Sequence, residues 1–124
     1  MVVSLGRVID VPADRFDDLV TDALDGIPEG LARVIDNVVV MVEEGSWNGA
    51  LYGRYEGVPL TARDNWYGSG RFDMPDRITI FRRAVCAACD GEDEVVEQVR
   101  ITVVHEVAHH FGIEDDRLDE LGWG

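Results

Sequence analysis

The chain has 124 residues, the length of a single domain, and we therefore treat residues 1–124 as one unit. With 46% hydrophobic and 29% charged residues, its composition is that of a folded globular protein and excludes a disordered chain. A net charge of −14, with the 11 basic residues dispersed along the sequence, excludes the basic face that binds phosphate backbones, so we expect no nucleic-acid partner.

The sequence shows neither a membrane span nor an export signal. No apolar run approaches the roughly 18 residues that span a bilayer. Residues 1–10 lack the basic segment and the cleavage site of a secretory signal. We therefore expect a cytoplasmic protein with no membrane partner.

The first predicted elements are a helix followed by two strands. Residues 12–24 begin with a proline and carry apolar residues at helical spacing, with aspartates on the outer face, which predicts a helix. Residues 38–42 are rich in valine and predict a buried strand. Residues 51–56 alternate in polarity, and we interpret them as the hairpin partner of that strand across the turn at 45–49.

The middle of the chain predicts a loop, a third strand and a short helix. Residues 57–75 contain prolines and glycines with little periodicity, so we expect a surface loop. Residues 76–81 predict a third strand of the same sheet, and residues 82–89 a short helix. An Asp-Gly pair then breaks the chain before a long helix, which we expect over residues 93–111.

The long helix is mostly apolar around its circumference, which predicts a central, buried position. Its narrow polar stripe contains Gln98, Thr102, His105 and His109, and Glu106 lies at the margin of that stripe. Residues four apart lie on the same face of a helix, so the imidazoles of His105 and His109 can bind one metal ion. Glu106 would then lie beside a water bound to that metal, where a general base is needed. This spacing is typical of zinc hydrolases.

A third ligand is predicted just after the helix. Gly112 can adopt a left-handed conformation, end the helix and turn the chain back toward the histidines. Asp115 can then complete a three-ligand zinc site with one position open for water. The competing acidic candidates in the same segment are Glu114, Asp116, Asp119 and Glu120.

Three segments of the sequence resemble the minimal zincin-like metallopeptidase family of small bacterial proteins. They are LYGRYEGVPL at 51–60, PDRITIFR at 75–82 and VRITVVHEVAHHFGIEDDRLDELGW at 99–123. The resemblance implies an α+β, minimal zincin-like fold in which a three- to four-stranded sheet packs on the central HExxH helix, together with an N-terminal helix. It also implies a Zn²⁺ cofactor held by His105, His109 and Asp115, with Glu106 as the catalytic base.

The function that this resemblance implies is that of a zinc-dependent peptidase acting on peptides or unfolded protein segments. We expect an extended substrate to dock on an exposed sheet edge at residues 78–81. Candidates for the donor that stabilises the oxyanion are Tyr52, Arg63 and Tyr67. The alternative function is a metal-binding adaptor or regulatory module with little activity. Glu106 favours the peptidase, and the short chain favours the adaptor.

Two further features are predicted to be structural. Cys86 and Cys89 have the CxxC spacing of redox dithiols and of half a zinc site, but no second half exists. We therefore expect buried apolar residues, with a reversible disulfide as the alternative. His110 points away from His105 on the helical wheel, so we expect it to support the site or the fold and not to bind the metal.

Overall fold

The computed structural model describes residues 11–35, 38–45, 51–57 and 75–122, with Val34 and Asp115 described by their main chain only. Its elements in chain order are α1 (Ala13–Asp25), α2 (Glu29–Val34), β1 (Val38–Glu43), β2 (Gly53–Glu56), β3 (Asp76–Phe81), α3 (Arg82–Ala87), α4 (Glu92–His110) and α5 (Asp115–Leu121). They form the predicted α+β fold, in which a small mixed sheet packs against the long helix α4 and α4 packs on the N-terminal helix α1. Most of the loop expected at 57–75 lies outside the described residues.

Helix α1 forms where the sequence predicts a helix. Pro12 precedes its first turn, where the missing N–H donor costs no helical hydrogen bond. The buried side chains lie three and four residues apart on one face, which packs on α4. They are Phe16, Leu19, Val20 and Ala23. At the start of α4, Glu92 accepts hydrogen bonds of 2.8 and 3.2 Å from the Arg15 guanidinium, so an ion pair also joins the two helices.

The sheet has the strand order β1-β3-β2. β3 pairs in parallel with β1 and antiparallel with β2. The hairpin predicted between residues 38–42 and 51–56 is therefore wrong, because β3 lies between the two strands. Ile78, Thr79 and Ile80 of β3 are fully buried, which suits a central strand that is covered on both faces.

The central position of β3 also corrects the expected docking edge. Both sides of residues 78–81 are paired with neighbouring strands, so an extended substrate cannot add there. The outer strands of the described sheet are β1 and β2, and β2 is the outer strand that packs against α4.

The core lies between the sheet and the helices α1 and α4. α4 contributes a stripe of fully buried valines at every fourth position, namely Val95, Val99, Val103 and Val107. The predicted central, buried helix is therefore confirmed. Leu118, only 1% exposed, joins α5 to the same core. None of the helices in the described ranges is long and apolar enough to cross a membrane.

Candidate metal centre

Helix α4 ends in a Schellman motif that depends on Gly112. The Gly112 N–H donates to the His109 carbonyl at 3.1 Å, and the Ile113 N–H donates to the Ala108 carbonyl at 2.7 Å. Gly112 has a φ of +76°, a left-handed conformation that favours glycine. The predicted helix end is confirmed, and the chain turns there into α5, which begins at Asp115.

His105 and His109 lie one turn apart near the end of α4, and their rings are close together. The ring centroids are 6.0 Å apart and the ring planes differ by 27°. A zinc–nitrogen bond is about 2.0–2.1 Å long, so two imidazoles on one ion have centroids roughly 5–6 Å apart. His105 is half-buried and His109 is exposed. The pair therefore fits two ligands of one metal ion that is accessible from solvent.

A third ligand is not found among the described side chains. No group of three metal-binding side chains occurs in the described ranges, so Glu114, Asp116, Asp119 and Glu120 do not complete a site with the two histidines. Asp115 is the first residue of α5, and its side chain lies outside the described part of the chain. Of the predicted acidic candidates, Asp115 is the one that the described geometry leaves open.

Glu106 is half-buried and is held by the edge strand β2. Its Oε1 accepts a hydrogen bond of 3.1 Å from the main-chain N–H of Tyr55. Immediately before β2, the Tyr52 carbonyl accepts a hydrogen bond from the Phe81 N–H of β3. Because hydrogen-bonded residues alternate along an antiparallel pair, the Tyr55 amide points away from β3. The outer edge of β2 thus directs a main-chain donor at the candidate base.

A groove of about 290 Å³ runs beside this contact, between the start of β2 and α4. Leu51 and Ile101 give the groove apolar walls, and His105 and Glu106 line it with polar groups. Gly53 also lines the groove. Two of the three candidate site residues of α4 therefore open onto one depression at the surface.

A sequence profile described as zincin-like metallopeptidase matches residues 35–123, which include α4 with its HExxH motif and all three described strands. The chain belongs to the zincin-like metallopeptidase family. A solved structure, that of a conserved hypothetical protein from Thermus thermophilus, is similar at a TM-score of 0.51 and 20% identity. The similarity covers 81% of this chain and 94% of that one, and it supports the fold. No curated protein matches the chain.

His110 of this zincin-like protein belongs to a separate cluster beside the metal centre. Its ring stacks on the ring of Tyr55, with centroids 4.0 Å apart and planes 20° apart. The Tyr55 hydroxyl donates a hydrogen bond of 2.6 Å to Asp76 Oδ2, and His110 Nε2 lies 3.9 Å from the same oxygen. His110 therefore contacts the residue whose amide holds Glu106, which agrees with the supporting role expected of it.

Sequence reasoning misses Gly53, Tyr55 and Asp76 as site residues of this zincin-like chain. The first two fall in the segment LYGRYEGVPL, and Asp76 falls in PDRITIFR. These are the segments outside the motif helix that resemble the family, and this is the signal that could have identified them. Of the expected oxyanion donors, Tyr52 lines the groove, whereas residues 63 and 67 lie outside the described ranges.

Cys86 and Cys89 are buried and form no disulfide. Burial raises the pKa of the Cys89 thiol to about 11, and the nearby carboxylate of Glu94 adds to the increase. The thiol is therefore protonated at neutral pH. The prediction that these cysteines are buried core residues is confirmed.

Proposed function

We propose that this protein is a zinc-dependent peptidase whose zinc ion is held by His105, His109 and Asp115 and whose general base is Glu106. The observation that carries the proposal is the arrangement on α4, where the paired imidazoles lie next to a carboxylate that lines an open groove. A structural zinc site needs no carboxylate beside its first histidine and more often closes with a fourth protein ligand. Membership of the family supports the same function.

The chemistry divides between the ion and the residues of the chain. When bound, zinc supplies a Lewis acid that polarises the peptide carbonyl and acidifies water. Glu106 accepts a proton from the attacking water and passes it to the leaving amine. Because Oε1 of Glu106 accepts the hydrogen bond from the Tyr55 N–H, the transferred proton is carried on Oε2 of Glu106. Tyr52 lines the groove and is the described candidate for the oxyanion donor.

The substrate is an extended peptide or an unfolded protein segment that lies along the outer edge of β2. The main-chain groups of Gly53 point off the same edge as the Tyr55 amide, because both residues alternate with those that bond to β3. A peptide strand can pair with such groups. Leu51 and Ile101 make the groove beside His105 partly apolar, which favours an apolar side chain next to the scissile bond.

The test measures zinc content and hydrolysis of a peptide library by the purified full chain. We expect Glu106→Gln to retain zinc and to lose at least about 100-fold in hydrolysis, the contribution typical of a general base. Asp93→Asn is the matched control, since Asp93 is an exposed carboxylate in the first turn of the same helix, and we expect it to change neither quantity. His109→Ala is expected to lose zinc.

Other outcomes separate the peptidase from the alternative. Zinc binding without hydrolysis by the wild type supports the metal-binding adaptor or regulatory module. Absence of zinc from the wild type, together with no effect of His109→Ala, contradicts both functions.

A further inference from the structure

Helix α4 and strand β2 lie in register along the site. Three helix residues spaced four apart face three residues of the extended segment spaced two apart. The pairs are Thr102 with Gly53, Glu106 with Tyr55, and His110 with Gly57. A helix advances about 6.0 Å in four residues and a strand about 6.6 Å in two, so the two repeats stay matched over this length. Glu106 occupies the middle pair.

The outer two pairs are close contacts that glycine permits. A Cβ atom on Gly53 would lie 2.8 Å from Thr102 Cγ2, and one on Gly57 would lie 3.1 Å from His110 Cε1. The two glycines therefore lie close to side chains of the helix on either side of Glu106. Between these two contacts, the Tyr55 amide nitrogen lies 3.1 Å from Oε1 of Glu106.

Tyr55 is held at its side chain as well as at its amide. Its ring stacks on His110 at 4.0 Å between centroids, and its hydroxyl donates to Asp76 at 2.6 Å. Asp76 is the first residue of β3 and its side chain is only 14% exposed, so the acceptor of the Tyr55 hydroxyl is largely buried. β2 has only four residues and is an outer strand of the described sheet, so these contacts add to the support that its pairing with β3 gives.

We propose that His110 and Asp76 are positioning residues for Glu106 and act on it through Tyr55. Glu106 has several side-chain rotamers, and a hydrogen bond from a fixed amide selects one of them. Without the His110 ring, the Tyr55 amide moves relative to α4 and the carboxylate loses its fixed orientation. This proposal rests on the proposed role of Glu106 as the general base. In this proposal His110 acts through Tyr55 and is not one of the zinc ligands.

The experiment uses the full-length, zinc-loaded protein and compares three variants with the wild type. We expect His110→Ala to lower kcat roughly 10- to 100-fold, the effect of displacing a catalytic group by about 1 Å, while KM and zinc stoichiometry stay unchanged. His110→Phe keeps a ring on Tyr55 and is expected to recover most of the loss. Tyr55→Phe keeps the ring that stacks on His110 and removes the hydroxyl that donates to Asp76, so we expect a smaller fall in kcat. This variant replaces His110→Ala if His110→Ala does not fold.

Amide hydrogen exchange at Tyr55 gives a readout that does not depend on hydrolysis. We expect exchange at this amide to be about tenfold faster in His110→Ala than in the wild type, because the amide loses its fixed acceptor. Asp93→Asn is the control. Asp93 is exposed and lies far from β2 in the sequence, so we expect the Tyr55 amide of this variant to exchange at the wild-type rate.

Faster exchange together with a lower kcat and full zinc occupancy supports the proposal. Unchanged exchange or unchanged kcat in His110→Ala overturns it, as does a loss of zinc that matches the fall in kcat. If the wild type hydrolyses no peptide, the proposed function fails. In that case amide exchange at Tyr55 by itself tests the positioning proposal. Faster exchange in His110→Ala supports the proposal, and an unchanged rate overturns it.

Discussion

Gly53 and Thr102 touch across the interface between β2 and α4. A Cβ atom on Gly53 would lie 2.8 Å from Thr102 Cγ2 and 2.9 Å from the carbonyl oxygen of Thr79. Both distances are shorter than van der Waals contact, so the strand must shift to accommodate a side chain. We expect Gly53→Ala to lower the free energy of unfolding by about 1–3 kcal/mol, as measured by denaturant titration.

The same shift moves the Tyr55 amide away from Glu106, so Gly53→Ala is also expected to lower kcat at unchanged zinc content. Gly26→Ala is the control, because a Cβ atom on Gly26 would lie at an ordinary distance of 3.5 Å from its nearest neighbour. Equal losses of stability in the two variants would contradict the explanation by close contact.

Gly112→Ala tests the turn between α4 and α5. A Cβ atom on Gly112 would meet no atom of the described residues within 4 Å, so the cost of the substitution comes from the φ of +76°. We expect a loss of about 1–2 kcal/mol in the free energy of unfolding, and a smaller loss for Gly112→Asn. Because α5 begins with Asp115, zinc titration is expected to show weaker binding by Gly112→Ala.

Gly91→Ala is the control for this turn. Gly91 is extended, with a φ of −161°, and a Cβ atom there would also meet no described atom within 4 Å. If Gly112→Ala unfolds at the same denaturant concentration as Gly91→Ala, the left-handed turn is not required.

The thiol of Cys89 is expected to be unreactive in the folded protein. Its pKa is raised from 9.0 to about 11, chiefly by burial, so the thiolate is about 100-fold rarer than in the unfolded chain at mildly alkaline pH. Alkylation by iodoacetamide should therefore be at least 100-fold slower in the native state than in denaturant. Rapid labelling of the native protein at Cys89, identified by peptide mapping, contradicts this.

The same pKa determines how stability depends on alkaline pH. The folded state favours the neutral thiol, so its contribution is fully present below pH 9.0 and is lost as the pH rises toward about 11. Cys89→Ala is expected to lose less stability than the wild type over this range, measured by denaturant titration at each pH.

The ion pair between Glu44 and Arg82 is expected to stabilise the fold at neutral pH. Arg82 is buried and donates to Glu44 at 2.8 Å and to the Val11 carbonyl at 2.6 Å. The hydrogen bonds from Arg82 hold the pKa of Glu44 below its ordinary value of 4.5. The contribution of the pair is therefore complete above pH 4.5 and is lost as the pH falls through the lower, folded-state pKa.

Glu44→Gln tests this ion pair. We expect the variant to be less stable than the wild type at neutral pH and the difference to shrink in acid, because protonation removes the same charge from the wild type. Arg82→Ala is expected to cost more, since it also frees the Val11 carbonyl. A difference between Glu44→Gln and wild type that is independent of pH would contradict the assignment.

Three of the five described helices, α1, α3 and α4, could be predicted from the sequence because their signals are local, whereas α2 and α5 were not predicted. The buried apolar residues of α1 recur every three or four positions. Gly112 ends α4 because glycine readily adopts the left-handed conformation that the turn requires. The histidine spacing likewise fixes the shared face of His105 and His109 once the helix is known. These inferences need no information about distant parts of the chain.

The order of the strands could not be predicted in the same way. The alternating pattern of residues 51–56 shows that one face of the strand is buried, but it does not identify the neighbouring strand. Proximity in sequence favoured residues 38–42 as the partner, whereas the fully buried Ile78 and Ile80 place β3 between them. The expected docking edge was wrong for the same reason.

The contacts of Glu106 could not be predicted from the sequence either. Its partner is the main-chain N–H of Tyr55, and every residue except proline has such a donor, so residue identity carries no signal. The contact between His110 and Asp76 joins residues that only the fold brings together.

The strand order β1-β3-β2 has a consequence for how the chain folds. β1 and β2 precede β3 in the sequence, yet the native neighbour of each is β3. During synthesis the described sheet cannot form until Phe81 has been added, and until then β1 and β2 are the only two of its three strands that are present. A hairpin between β1 and β2, which the sequence pattern favours, would be a non-native pairing that must open before β3 can take its place. Completing the sheet requires β3 to insert between two strands, and such non-local pairing is slow.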